Sequence, residues 1–176
     1  MTQTKTKINT PHPYKAQIPV LKALVSGIER YVVLNASRQS GKTICLILAA
    51  LYWAQSEENQ HVMIVSPTDT QVKKILNQMI QIIGKAHKLL IKTKRSAAGD
   101  AQIELTNGSL ILFRSSAAEN SLRGYSNTHL LLDECAFQKE ETWNTILAPT
   151  LAVRGKRVFF CSTPKGLNFF NKIYTK

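Results

Sequence analysis

The chain has 176 residues, 44% hydrophobic and 19% charged, and its 23 Lys and Arg outnumber 11 Asp and Glu for a formal net charge of +12. That length supports one domain with a substantial core, and that composition excludes an intrinsically disordered chain. Three cysteines without metal-ligand spacing, no secretory signal and no apolar run long enough for a bilayer exclude a disulfide scaffold and a membrane-spanning protein, leaving reduced thiols as core filler in an intracellular chain.

Residues 1–12 read as a loose polar tail, and residues 13–176 as a single domain. The turn-prone stretch from Pro11 to Gln17 leads into a helix ending near Gly27. Gln17 is a candidate reader of an adenine edge, because an amide donates and accepts at once, with Tyr14 nearby as a stacking ring. A surface glutamine is the plainer alternative.

Next comes Asn35-Ala36-Ser37-Arg38-Gln39-Ser40-Gly41-Lys42-Thr43, between the aliphatic run Tyr31 to Leu34 and a long apolar run from Ile44 to Ala54. As strand, tight loop and helix, this is a phosphate-binding loop. The N–H groups of Ser37, Arg38, Gln39, Ser40 and Gly41 lead into a helix N-terminus whose unpaired donors and dipole suit a polyphosphate. Lys42 is placed to reach the β- and γ-phosphates of ATP, and the Thr43 hydroxyl to ligate Mg²⁺. Ala36 stands where the pattern has glycine, so the loop entry must use an ordinary backbone conformation.

The helix after the loop is apolar nearly all round, as expected for one packed on a sheet. His61 to Val65 reads as a buried strand, and Asp69 opens a helix with apolar Val72, Ile75, Leu76, Met79 and Ile83 on one face, capped by Thr68 or Asp69. Lys85, Lys88, Lys92, Lys94 and Arg95 form a basic cluster, either a solvated face or a contact to a DNA backbone. Ile103 to Phe113 reads as a β-hairpin turning at Asn107-Gly108. Ser121 to Tyr125 is a loop, and Leu130-Leu131-Leu132-Asp133-Glu134 an aliphatic strand ending in two carboxylates. A polar helix is expected around Gln138 to Ile146, a buried strand over Arg157 to Cys161, and a last helical piece from Leu167 to Tyr174. Strands alternating with helices give an α/β fold with a mostly parallel central sheet flanked by helices, plus the hairpin.

In such a sheet the acids and the phosphate loop open on the same carboxyl edge. Asp133 is then placed to hold Mg²⁺, and Glu134 to orient and deprotonate a water. A strand followed by an acidic helix N-terminus would look similar. Ser162-Thr163-Pro164 follows the next buried strand, where a hydroxyl pair can sense the γ-phosphate; alone it is a common turn.

Arg38 within the loop, Leu122-Arg123-Gly124, Asp133-Glu134 followed by Cys135-Ala136-Phe137, and Ser162-Thr163-Pro164 together resemble the large terminase subunit of tailed bacteriophages, from about Pro13 to Gly166. The resemblance implies an additional-strand P-loop ATPase whose Ser162-Thr163 strand is inserted between the strands of the two nucleotide motifs. It also implies an ATP-hydrolysing motor that drives double-stranded DNA into a procapsid. Arg38 would contact phosphate and help couple hydrolysis to movement, Arg123 would act in trans in a neighbour's site, and Ser162 and Thr163 would form the coupling motif. Arg123 also suits a DNA-phosphate contact or a loop-stabilising salt bridge. The implied partners are a homo-oligomeric ring, the portal and the small terminase subunit, in the cytoplasm of an infected bacterial host, with no membrane. The family carries a nuclease domain after the ATPase; no acidic cluster of that kind is expected here, so the chain reads as a truncated ATPase domain. Two alternatives are a superfamily 2 helicase-like fragment and a nucleotide- or DNA-binding module inactive in isolation.

Overall fold

A computed structural model describes residues 13–84 and 87–175, with the side chains of His87 and Lys88 excepted. The tail over residues 1–12, Lys85 and the Lys88 side chain therefore lie outside the described residues. Seven strands form one sheet: β1 (Tyr31–Asn35), β2 (His61–Ser66), β3 (Ile91–Arg95), β4 (Ala101–Leu105), β5 (Leu110–Ser115), β6 (His129–Leu132) and β7 (Arg157–Ser162). Their order is β1-β7-β6-β2-β5-β4-β3. The β1–β7, β7–β6, β6–β2 and β2–β5 pairs are parallel, and the hairpin strands β4 and β3 continue the sheet antiparallel. The expected insertion is present, with β7 between the phosphate-loop strand β1 and the Asp-Glu strand β6.

The central strands are aliphatic without interruption because both of their faces are covered. Ile64, Leu131 and Phe159 point to a core under helices α1 (Gln17–Ser26), α2 (Lys42–Ser56) and α3 (Asp69–Ile83). Their neighbours Met63, Leu130 and Val158 face the opposite core, roofed by short helical turns and by α6 (Phe169–Tyr174). Helix α2 buries nine of its residues, in keeping with its apolar circumference. Helix α3 starts in a capping box: the Thr68 hydroxyl accepts from the Gln71 N–H, and the Gln71 side chain accepts from the Thr68 N–H. His129 at the start of β6 is buried, its ring stacked on Trp53 with centroids 4.7 Å apart.

Two expectations need correction. The polar helix begins at Glu140, as a single turn α5 (Glu140–Thr142) after the one-turn α4 (His87–Leu90), and then widens to a π-helix over Trp143–Leu147 and tightens to a 3-10 turn over Ala148–Leu151. Pro149 has no N–H to donate four residues back, so a regular helix cannot run through it. The last helix, α6, covers Phe169–Tyr174, with Asn168 as its N-cap. Lys92, Lys94 and Arg95 are exposed on β3, an edge strand, in keeping with the solvated-face alternative, and charged side chains there guard against further pairing. Lys92 is bonded to Glu104 at 2.7 Å and Arg95 to Asp100 at 3.3 Å, so two of these three cations already have acidic partners. Among the described residues no helix is long and apolar enough to cross a membrane.

Candidate active site

The site forms where the carboxyl ends of β1, β7 and β6 meet. Asn35, closing β1, is in register with Ser162, closing β7, and the Ala36 N–H donates to the Ser162 carbonyl at 3.2 Å. The chain then folds back into α2. Its left-handed residues are Gln39 (φ +62°) and Gly41 (φ +81°), so Ala36 keeps an ordinary backbone as its side chain requires. Gly41 is doubly constrained, because a Cβ there would also strike the Gln17 amide.

Gln17 is buried rather than a surface residue. Its Oε1 accepts from the Tyr14 N–H at 2.8 Å, and its Nε2 donates to the Gly41 carbonyl at 3.2 Å, which ties α1 to the phosphate loop. One amide hydrogen and one oxygen lone pair are left over. Tyr14 is exposed.

Lys42 is only 7% exposed. Its Nζ donates to the carbonyls of Ala36 at 3.2 Å and Ser37 at 2.9 Å, and to the Thr163 hydroxyl at 3.1 Å. The ammonium is thus held by oxygens, and among the described residues no carboxylate is in direct contact with it. Arg38, Gln39, Gly41, Lys42, Thr43 and Glu134 line one cleft of about 380 Å³. On its other side, Arg38 and Glu134 share with Thr163 and Lys165 a second cleft of about 410 Å³. The lysine-bearing loop and Glu134 therefore face one another.

Asp133 is buried, and its N–H donates to Val65 O at 2.8 Å. Burial, followed by the adjacent Glu134 charge, raises its carboxyl to about 6, while the Cys161 thiol and Lys42 pull it down. Glu134 takes a left-handed backbone (φ +46°), a costly conformation for a residue with a Cβ, and this turns its side chain toward the clefts. The Ser162 hydroxyl accepts from the Ala136 N–H at 3.1 Å and donates to Glu134 Oε2 at 3.3 Å. The last residue of β7 and the one after it thus touch the acid and the lysine. Arg123 is not brought here: exposed, it lines a separate cleft with Thr145, Ile146 and Pro149.

The oxygens present suit a hard cation and a polyphosphate: the Thr43 hydroxyl, the two carboxylates, and the Ser40 hydroxyl, which is buried without a hydrogen-bond partner. Sequence reasoning missed two supports. The Cys161 thiol, expected as core filler, lies 3.5 Å from Asp133 Oδ1 as its donor. Gln138 Nε2 donates to the carbonyls of Asp133 and Val65, fixing the turn from behind. Both follow from strand adjacency, for which only the order of the motifs gave a hint.

A lysine-bearing loop before a buried helix, an Asp-Glu strand and an extra strand between them define an additional-strand P-loop NTPase fold. The family model for the N-terminal part of the terminase large subunit, of the T4-like-virus type, matches residues 33–176. The chain belongs to that family. It is 31% identical over 164 residues to the terminase large subunit of Escherichia phage T5, covering 92% of this chain and 36% of that relative's length. Its fold matches the large terminase ATPase domain of Thermus phage P74-26 with a TM-score of 0.75 at 22% identity, over 92% of this chain and 74% of that one. The UvsW helicase of bacteriophage T4 is similar at a lower TM-score of 0.63, with 15% identity, over 90% and 56% of the two chains. With the family model and the phage T5 relative both terminase large subunits, the helicase-like alternative is the poorer fit.

Proposed function

We propose that this chain is the ATP-hydrolysing motor domain of a large terminase, coupling hydrolysis to movement of double-stranded DNA into a procapsid. The observation that carries the reading is the convergence of Lys42 and Glu134 on one cleft, with β7 supplying a hydroxyl to each.

Lys42 moves its donors from the Ala36 and Ser37 carbonyls to the β- and γ-phosphates, while the N–H groups at the start of α2 face the phosphate chain. Thr43 and Asp133 would hold Mg²⁺, which supplies charge neutralisation at the phosphate oxygens. Glu134 takes the proton of the attacking water, its carboxylate oriented by Ser162. Arg38, between the two clefts, reaches the phosphates with a planar charged fork. The free donor and acceptor of Gln17 read the adenine edge, and its bond to Gly41 makes the loop sensitive to that contact. Arg123 completes the site of a neighbouring copy, since in its own chain it faces a different cleft. The net charge of +12 supports DNA as the track. A homo-oligomeric ring, the portal and small terminase subunit as partners, and the cytoplasm of an infected bacterial cell complete the reading from family membership.

Phosphate release from Mg·ATP, measured with and without double-stranded DNA at rising protein concentration, tests it. Turnover per molecule is expected to climb with concentration, and Glu134→Gln to lower it by about 10²-fold or more while nucleotide still binds. Lys42→Ala is expected to abolish nucleotide binding. Hydrolysis unchanged in Glu134→Gln would overturn the assignment. Tight binding without turnover under any condition would instead support the inactive module, the reading favoured by Arg123 lining a cleft other than the one that holds Lys42.

A further inference from the structure

Arg114, 1% exposed, is more deeply buried than any other described Lys, Arg, Asp or Glu. It lies near the end of β5, where its Nη1 donates to the carbonyls of Ala101 at 2.7 Å and Phe113 at 3.0 Å. Its Nη2 donates to the Tyr125 hydroxyl at 2.7 Å and stands 3.8 Å from an Asp100 carboxylate oxygen. The guanidinium carbon is 5.1 Å from the Tyr125 ring centroid, and Nε is buried without a partner among the described residues. A buried charge of this kind is poor value as a stabiliser compared with an apolar side chain of the same size. What its bonds do accomplish is positional: they join the β3–β4 turn, the start of β4 and the loop entering β6.

That loop carries Arg123. On one side Leu122, fully buried, ends the 3-10 turn Glu119–Leu122, and the Arg123 N–H closes it on the Asn120 carbonyl. On the other side Tyr125 is held by Arg114. Between these anchors Arg123 and Gly124 are exposed, and Gly124 turns the chain with φ +80°. We propose that Arg114 is a positioning residue which, through the Tyr125 hydroxyl, fixes where Arg123 is presented to a neighbouring copy. The inference rests on the trans-acting reading of Arg123.

Tyr125→Phe is the test variant, since it removes the acceptor and keeps the ring over the guanidinium. Amide exchange over residues 123–127 and tryptic cleavage after Arg123 should each become about tenfold faster, the scale of one hydrogen bond to a charged group, with α2 and β2 unchanged. Turnover should fall with KM for ATP kept within about twofold. Mixing with Glu134→Gln, which lacks the catalytic base but presents an intact Arg123, should restore turnover to Tyr125→Phe and to Arg123→Ala alike. A fold defect would not be rescued in this way. If Arg123→Ala is rescued while Tyr125→Phe exchanges and turns over like the unaltered chain, the positioning role is wrong and the trans reading survives. If Arg123→Ala has no defect or is not rescued, the trans reading fails and takes this inference with it. A Tyr125→Phe defect that mixing does not rescue also overturns the proposal.

Discussion

His129 offers a measurement of the fold that needs no turnover. The Thr128 hydroxyl lies 3.0 Å from His129 Nδ1, donates to the His61 carbonyl at 3.0 Å, and accepts from the His61 N–H at 3.0 Å. With that hydrogen on the His61 carbonyl, the hydroxyl accepts from His129, the arrangement that goes with the Nδ1–H tautomer of a neutral imidazole. Burial first, then Lys156 and Arg157, lower the ring from 6.5 to about 3. The unfolded chain therefore binds a proton below pH 6.5 that the folded chain refuses until about pH 3. Stability from this group is complete above pH 6.5 and is lost as the pH falls. Between pH 8 and pH 5 the loss is about 2 kcal/mol, and any folded value well below 5 gives nearly the same figure. Asp133 acts in the opposite direction. Its folded value of about 6 exceeds the ordinary 3.8, so acid relieves the burial of its charge, by about 1 kcal/mol over the same interval. The raw pH profile is consequently shallow. His129→Phe keeps a ring on Trp53 and removes the titration, so comparison with the unaltered chain cancels Asp133. Urea unfolding at pH 5, 6, 7 and 8 should show the variant gaining about 2 kcal/mol on the unaltered chain between pH 8 and pH 5. Parallel profiles would refute a neutral, buried imidazole.

Ser162→Ala leaves the Ala136 N–H without its acceptor and Glu134 without its donor. It should lower kcat by about tenfold or more, with nucleotide affinity by equilibrium titration nearly unchanged. Gly41→Ala forces a side chain into a left-handed backbone against the Gln17 amide, so thermal unfolding should show a loss of about 1–3 kcal/mol. Adding Gln17→Ala should recover the part of that loss due to the collision. Thr68→Ala breaks the capping box of α3 and should cost about 1 kcal/mol, without affecting turnover.

The parts of the molecule readable beforehand are those whose chemistry is local. The loop from Asn35 to Thr43 and the strand running into Asp133 and Glu134 carry their signals within a few residues, as does the Asn107-Gly108 turn, whose Asn107 Oδ1 accepts from the Ser109 N–H. The place of β7 between β1 and β6 came from the family resemblance, since periodicity does not order strands. Edge strand β3 has no apolar alternation to betray it, because four of its five residues face solvent. The helical run broken at Pro149 looked regular because polar patterning says little about hydrogen-bond spacing. Buried polar pairs such as Gln17 with Gly41, Cys161 with Asp133 and Arg114 with Tyr125 join positions distant in the chain, and no window of sequence contains both members.

The two hydroxyls at the end of β7 have a mechanical corollary under the proposed function. Ser162 leans on the acid and Thr163 on the lysine, and they are neighbours on one stretch of backbone, so a tilt of that strand tip moves both contacts. It would work as a rocker with an arm on each side: a nucleotide that withdraws Lys42 from Thr163 would reach Glu134 through a single peptide unit, the shortest lever the chain could have placed between them.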